Sequence, residues 1–203
     1  MTRIKICGLK EAEHVEAAVF AGADAIGFVF APSKRQITLS KAAQLAKAIP
    51  FPVKKVGVFV NATAEEINAT AQAVPLDYVQ LHGDEPDTLL DAIKVPVIKA
   101  FSIRSKEDLE RAFASPAPLV LVDAPGTTHR GGSGHTFDWT YFHQVSTSRP
   151  FILAGGLTPE NVGKAVRDLQ PAMVDVSSGV ETDGRKDSDK IKAFIRAVRE
   201  ELG

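Results

Sequence analysis

Residues 25–60 read AIGFVFAPSKRQITLSKAAQLAKAIPFPVKKVGVFV, and the fold is decided here. Two β-rich runs, 25–30 and 54–60, flank a segment in which Ala42, Leu45, Ala46 and Ile49 recur at the spacing of a helix with one buried face. A strand, a one-faced helix and a second strand form a parallel unit with a right-handed crossover. The same alternation runs along the whole chain. Further strands are expected at 3–7, 78–81, 97–100, 119–123, 151–154 and 173–177. A last helix is marked by Ile191, Phe194, Ile195, Val198 and Leu202 on one face, with Lys190, Lys192, Arg196 and Glu200 on the other. Helix starts are expected at Thr63, three residues before Glu66 as in a capping box, and at Thr158, where Pro159 suits the first helical position. Eight strand–helix units leave no antiparallel section, so the predicted architecture is a single compact (β/α)8 barrel, a TIM barrel of parallel strands spanning residues 1–203. The alternative is an open doubly wound sheet, which uses fewer strands.

Composition narrows the function. Apolar residues make up 44% and charged residues 24%, enough for a packed core and far from a disordered profile. Lys plus Arg number 24 against 25 Asp plus Glu, so the net charge of -1 gives no electrostatic case for nucleic acid or an anionic membrane as partner. The single cysteine, Cys7, excludes an internal disulfide and a cysteine-cluster metal site, and fits a reducing cytoplasm. No signal-peptide pattern opens the chain, and no apolar run approaches the roughly 18 residues of a membrane span. A soluble cytoplasmic protein, monomer or homodimer, is the expectation.

In such barrels the chemistry sits at the C-terminal ends of the strands. Cys7 ends the first, His82 follows the fourth, Asp123 ends the sixth, Gly155 and Gly156 follow the seventh, and Ser177, Ser178 and Gly179 follow the eighth. The turns LAGGL (153–157) and DVSSGVE (175–181) carry small residues and hydroxyls where a backbone can approach an anion closely. They mark a phosphate site and hence a small phosphate ester as partner, although the glycines also suit plain tight turns. Period-two alternation puts Lys5 and Cys7 on the barrel interior and Ile4 and Ile6 toward the helices. A cysteine acts as base or nucleophile only with positive charge nearby, which Lys5 could supply in part; its bland reading is a small buried hydrophobe. Asp123 closes the apolar run LVLVD, where a carboxyl group with a raised pKa would serve as general acid, or else cap the next loop. Asp175 is a rival carboxylate two residues inside its strand, better suited to a buried structural partner. Arg35 could hold a carboxylate bidentately or stand in solvent. The glycine-rich segment 125–136 reads as a lid or a long turn. His14 and His143 fall in helical stretches and His129 and His135 in that segment; no pair has zinc spacing, so no metal is expected.

Taken in order, KICGL, AGADAIGFVFAPSKRQI, VGVFVN, VQLHGDE, LVDA with GGSGHTFDW, LAGGL and DVSSGVE with GRKD cover nearly the whole chain, and the set resembles phosphoribosylanthranilate isomerase of tryptophan biosynthesis. The resemblance implies an Amadori rearrangement of N-(5-phosphoribosyl)anthranilate to 1-(2-carboxyphenylamino)-1-deoxyribulose 5-phosphate without a cofactor. It also implies Asp123 as acid toward the ring oxygen, Cys7 as base toward the C2 proton, Arg35 on the anthranilate carboxylate and the two turns on the phosphate. Two positions depart from the family pattern: Lys10 stands where Thr or Ser is usual, and Lys34 where proline is usual before the arginine. Two other readings compete. A neighbouring phosphate-binding barrel, such as indole-glycerol-phosphate synthase or the histidine-pathway isomerase, would place a lysine or aspartate at the position of Cys7. A non-catalytic barrel binding a phosphorylated metabolite would need neither Cys7 nor Asp123.

Overall fold

A computed structural model describes residues 1–123, 140–145 and 147–201. The 125–136 segment, with His129 and His135, lies outside the described residues, as do Leu202 and the side chain of His143. Eight strands, β1 (Arg3–Cys7), β2 (Ala25–Val29), β3 (Lys54–Phe59), β4 (Tyr78–Leu81), β5 (Val97–Ser102), β6 (Leu119–Asp123), β7 (Phe151–Ala154) and β8 (Met173–Val176), pair in sequence order. All these pairings are parallel, and β8 returns to β1 with Lys5 opposite Asp175, closing the barrel. The open-sheet alternative is thereby excluded.

Helices α1 (Ala12–Ala21), α2 (Leu39–Ala46), α3 (Ala64–Ala73), α4 (Lys106–Ala114), α5 (Thr140–Gln144), α6 (Val162–Leu169) and α7 (Ser188–Glu200) form the connections, with a 3-10 helix at Asp87–Ala92 between β4 and β5. The stripe that predicts α2 is buried through Ala42, Leu45 and Ala46, and Ile49 packs just past its end. Thr63 and Glu66 form the expected capping box on α3. Helix α6 starts later than Pro159. Asn161 closes a separate turn first, because its Oδ1 accepts from Thr158 N–H at 2.8 Å while its own N–H donates to Thr158 O at 3.2 Å. No described helix is long and apolar enough to cross a membrane.

The apolar residues separate into two cores. Ile4, Ile6, Ile26 and Phe28 join the layer between strands and helices, whereas Val56, Ile98, Leu121 and Ile152 pack inside the barrel. Toward the mouth the inner packing turns polar at Lys5, Gln80 and Asp175, all buried. Such groups are tolerated only when paired: removing one partner of a buried ion pair leaves an uncompensated charge worth about 3–5 kcal/mol. At the opposite end lies a cavity of about 360 Å³, lined mainly by apolar residues such as Tyr78, Ile98 and Met173. Its carboxylate, Asp24, is committed to the Ile4 amide and Arg199.

Candidate active site

At the C-terminal ends of the strands a second cavity of about 360 Å³ is lined by Cys7, Arg35, His82, Asp123, Gly155, Gly156, Ser177 and Ser178, among others. Gly179 stands behind the wall, where a Cβ would come within 1.8 Å of Leu157 O, so only glycine lets the two turns meet. Strand-end position therefore gathers nearly every expected residue at one mouth. Gly155 and Gly156 have φ of 89° and 61°, the left-handed region that a glycine enters without strain. Asn161 Nδ2 braces that turn by donating to Gly156 O at 2.9 Å.

Cys7 is buried on the interior face of β1, and Gly27 of β2 makes room for it: a Cβ there would sit 2.8 Å from its sulfur. Burial pushes the Cys7 thiol up; Lys5 pulls it down, Asp175 pushes it up, Lys186 pulls it down, and the net shift is upward. The positive charge expected from Lys5 is present but shared. Its ammonium donates to Asp175 Oδ2 and to Gln80 Oε1, each at 2.9 Å. Burial works against the Lys5 charge, yet Asp175 and Cys7 hold its pKa above the ordinary value. Asp175 is the structural partner its position suggests, and its Oδ1 is a buried polar atom without a hydrogen bond among the described residues.

Asp123 does not stand alone at the end of β6. Its Oδ2 lies 3.0 Å from His82 Nε2, and His82 Nδ1 lies 3.0 Å from Gln80 Nε2. Both ring nitrogens of His82 thus face protein groups, although the ring also lines the cavity where a substrate-binding role is expected of it. The turn that carries it is pinned by Glu85, which accepts from the Asn61 and Gly83 amides and pairs with Lys99 at 2.5 Å. Burial raises the Glu85 pKa, but these donors bring it below the ordinary value.

Arg35 faces the cavity already paired. Its Nε donates to Glu181 Oε1 at 2.6 Å and its Nη2 to Glu181 Oε2 at 2.9 Å, so one edge of the fork is occupied. Lys186 donates from the other side, to Glu181 Oε1 at 2.9 Å and to Ser177 O at 2.7 Å. Burial works against the Glu181 carboxylate, but Arg35 and Lys186 lower its pKa from 4.5 to about 2. Glu181 and Lys186 do not line the cavity, but both hold residues that do, and the motif reading singles out neither. A short antiparallel pair, β9 (Glu181–Thr182) and β10 (Arg185–Lys186), brings them together. The signal was present in Asp183-Gly184, a dipeptide of tight hairpins, and both residues have positive φ. The two departures from the family pattern converge here. Lys10 Nζ donates to Lys34 O at 2.8 Å, and Lys34 Nζ lies 3.6 Å from Glu181 Oε2, so two lysines restrain the loop that lacks its proline.

Among the described residues the one group of metal-ligand types is Glu11, Glu13 and His14, and Arg185 already pairs with both carboxylates. It does not belong to the cavity wall.

A sequence model of the family described as N-(5'phosphoribosyl)anthranilate (PRA) isomerase matches residues 4–197. N-(5'-phosphoribosyl)anthranilate isomerase of Listeria monocytogenes serotype 4b is 51% identical over 197 residues, covering 97% of this chain and 98% of its own. The crystal structure of phosphoribosyl anthranilate isomerase from Thermotoga maritima matches with a TM-score of 0.87 at 43% identity, over 98% of this chain and 100% of that one. A crystal structure of phosphoribosyl anthranilate isomerase in complex with reduced 1-(o-carboxyphenylamino)-1-deoxyribulose 5-phosphate matches with a TM-score of 0.85 at 41% identity, again over 98% and 100%.

Proposed function

The chain belongs to the N-(5'-phosphoribosyl)anthranilate isomerase family of tryptophan biosynthesis, and from that premise we propose how its residues divide the work. The reaction converts N-(5'-phosphoribosyl)anthranilate to 1-(2-carboxyphenylamino)-1-deoxyribulose 5-phosphate, and it needs one acid and one base. Asp123 gives a proton to the furanose ring oxygen, and the ring opens to an iminium at C1. Cys7, as thiolate, takes the C2 proton and leaves an enolamine. The hydroxyl on C2 then loses its proton and C1 gains one, so the ketone forms with no net proton consumed. Burial disfavours the thiolate; the Lys5 and Lys186 charges favour it, and the cationic iminium adds to that side.

Arg35 takes the anthranilate carboxylate through the end of its guanidinium that Glu181 leaves open. The turns at Gly155 and Gly156 and at Ser177, Ser178 and Gly179 receive the phosphate, with the Lys186 charge behind Ser177. Residues 1–203 act as one catalytic domain. The observation that carries this reading is that Cys7 and Asp123, from strands well apart in the closed barrel, line the same cavity as both phosphate turns. The test is to generate the substrate in place and follow the loss of its fluorescence with purified protein. Turnover well above spontaneous decay is expected, and decay alone would overturn the reading.

A further inference from the structure

A hydrogen-bonded chain crosses the barrel interior from the base side to the acid side. It begins at Asp175 Oδ2, which accepts from Lys5 Nζ at 2.9 Å, and the same ammonium donates to Gln80 Oε1 at 2.9 Å. It continues from Gln80 Nε2 to His82 Nδ1 at 3.0 Å and from His82 Nε2 to Asp123 Oδ2 at 3.0 Å. Donor and acceptor chemistry leaves one way to satisfy it. An ammonium only donates, so the side-chain oxygen of Gln80 must face Lys5. The amide nitrogen of Gln80 then faces His82, and because it too only donates, Nδ1 must carry the lone pair. In the neutral ring the proton is on Nε2, directed at Asp123.

We infer that Lys5 and Gln80 are positioning residues that lock His82 in its Nε2–H tautomer, so that the ring donates to Asp123 Oδ2. Two consequences follow for the acid, and they rest on the reading of Asp123 proposed above. With Oδ2 occupied by a donor, the acid proton is carried on Oδ1. Once that proton is transferred, the ring N–H is already in place to stabilise the carboxylate, with no reorganisation at the moment of reaction.

The lock can be seen directly. Two-bond proton–nitrogen correlation spectra of 15N-labelled protein above neutral pH are expected to show His82 as the Nε2–H tautomer, and as a mixture in Gln80→Met. In turnover, Gln80→Met and His82→Phe are expected to lower kcat by about 10- to 100-fold with KM little changed, the size of loss that follows when outer-shell partners of metal-ligand histidines are removed. His82→Gln, whose amide nitrogen can stand where Nε2 stood, should recover most of the kcat that His82→Phe loses. Adding Gln80→Met to His82→Gln should cost clearly less than it does beside the native histidine, because a glutamine amide has no tautomer to lock and only the loss of the Lys5 acceptor remains. A wild-type His82 in the Nδ1–H form overturns the inference, and so does a Gln80→Met penalty that is equal in both backgrounds. Should Gln80→Met fail to fold, the wild-type spectrum and the two His82 variants decide. An Nε2–H tautomer together with full turnover in Asp123→Asn would leave the lock standing and remove Asp123 as the acid.

Discussion

Cys7 shows how far a residue's chemistry depends on its surroundings. Burial and Asp175 oppose its ionisation while Lys5 and Lys186 favour it, and the balance moves its pKa above the ordinary value. Because the chain has a single cysteine, alkylation by iodoacetamide reports on this group alone. The midpoint of its pH–reactivity curve is expected above the ordinary thiol value of 9.0; a midpoint below that value would contradict the balance. Glu181 behaves in the opposite sense, its pKa lowered from 4.5 to about 2 by Arg35 and Lys186. A depressed carboxylate pKa stabilises the folded state above the unfolded value, and that contribution fades as pH falls through the folded one. The stability gap between wild type and Glu181→Gln, measured by denaturation, should therefore be full near neutral pH and shrink from about pH 4.5 to about 2. A gap independent of pH would mean that the ion pairs contribute nothing. That Cys7 and Asp123 reach one mouth was legible because each ends a strand. The pairing of Arg35 with Glu181 was not, because no periodicity reports a contact across 146 positions.

At the scale of elements, period and capping carried the sequence reading where helix and strand follow local rules, as at β1, β4, β6, β7 and α3. The reading slipped where side chains intervene. Asn161 spends its amide on the turn after β7, bracing Gly156, and so delays α6 past Pro159. The hairpin of β9 and β10 belongs to neither period, being two residues on each side of Asp183-Gly184. It nevertheless holds Glu181 against Arg35 and Lys186 against Ser177, two residues of the cavity wall. Gly184 has a φ of 78°, a conformation that costs a β-branched residue roughly 1–3 kcal/mol. A Cβ there would meet only Lys34 Nζ, at 3.7 Å, so the strain falls on the backbone rather than on packing. Gly184→Val is expected to raise KM through displacement of the Arg35 and Lys186 clamp, with kcat less affected. An unchanged KM in steady-state kinetics would separate the hairpin from substrate binding.

For the whole molecule, closure is what makes two distant strands cooperate. β1 and β6 are far apart in sequence and in the order of the sheet, yet the parallel barrel aims both C-terminal ends at one mouth. That arrangement was legible in the alternation of 25–60 and its repetition, since helical connections of right hand leave the strands no other sense. The polar interior was legible only in outline. Lys5 could be placed inside from the alternation of β1, but its partners Gln80 and Asp175 come from other strands, and only the registered barrel brings them together. The central claim is that acid and base stand across one cavity on Asp123 and Cys7. The measurement that tests it most directly is steady-state turnover of Asp123→Asn and Cys7→Ser beside direct binding of the product. Each variant is predicted to lose about 100-fold or more in kcat while it binds product nearly as wild type does; turnover close to wild type in either would contradict the account.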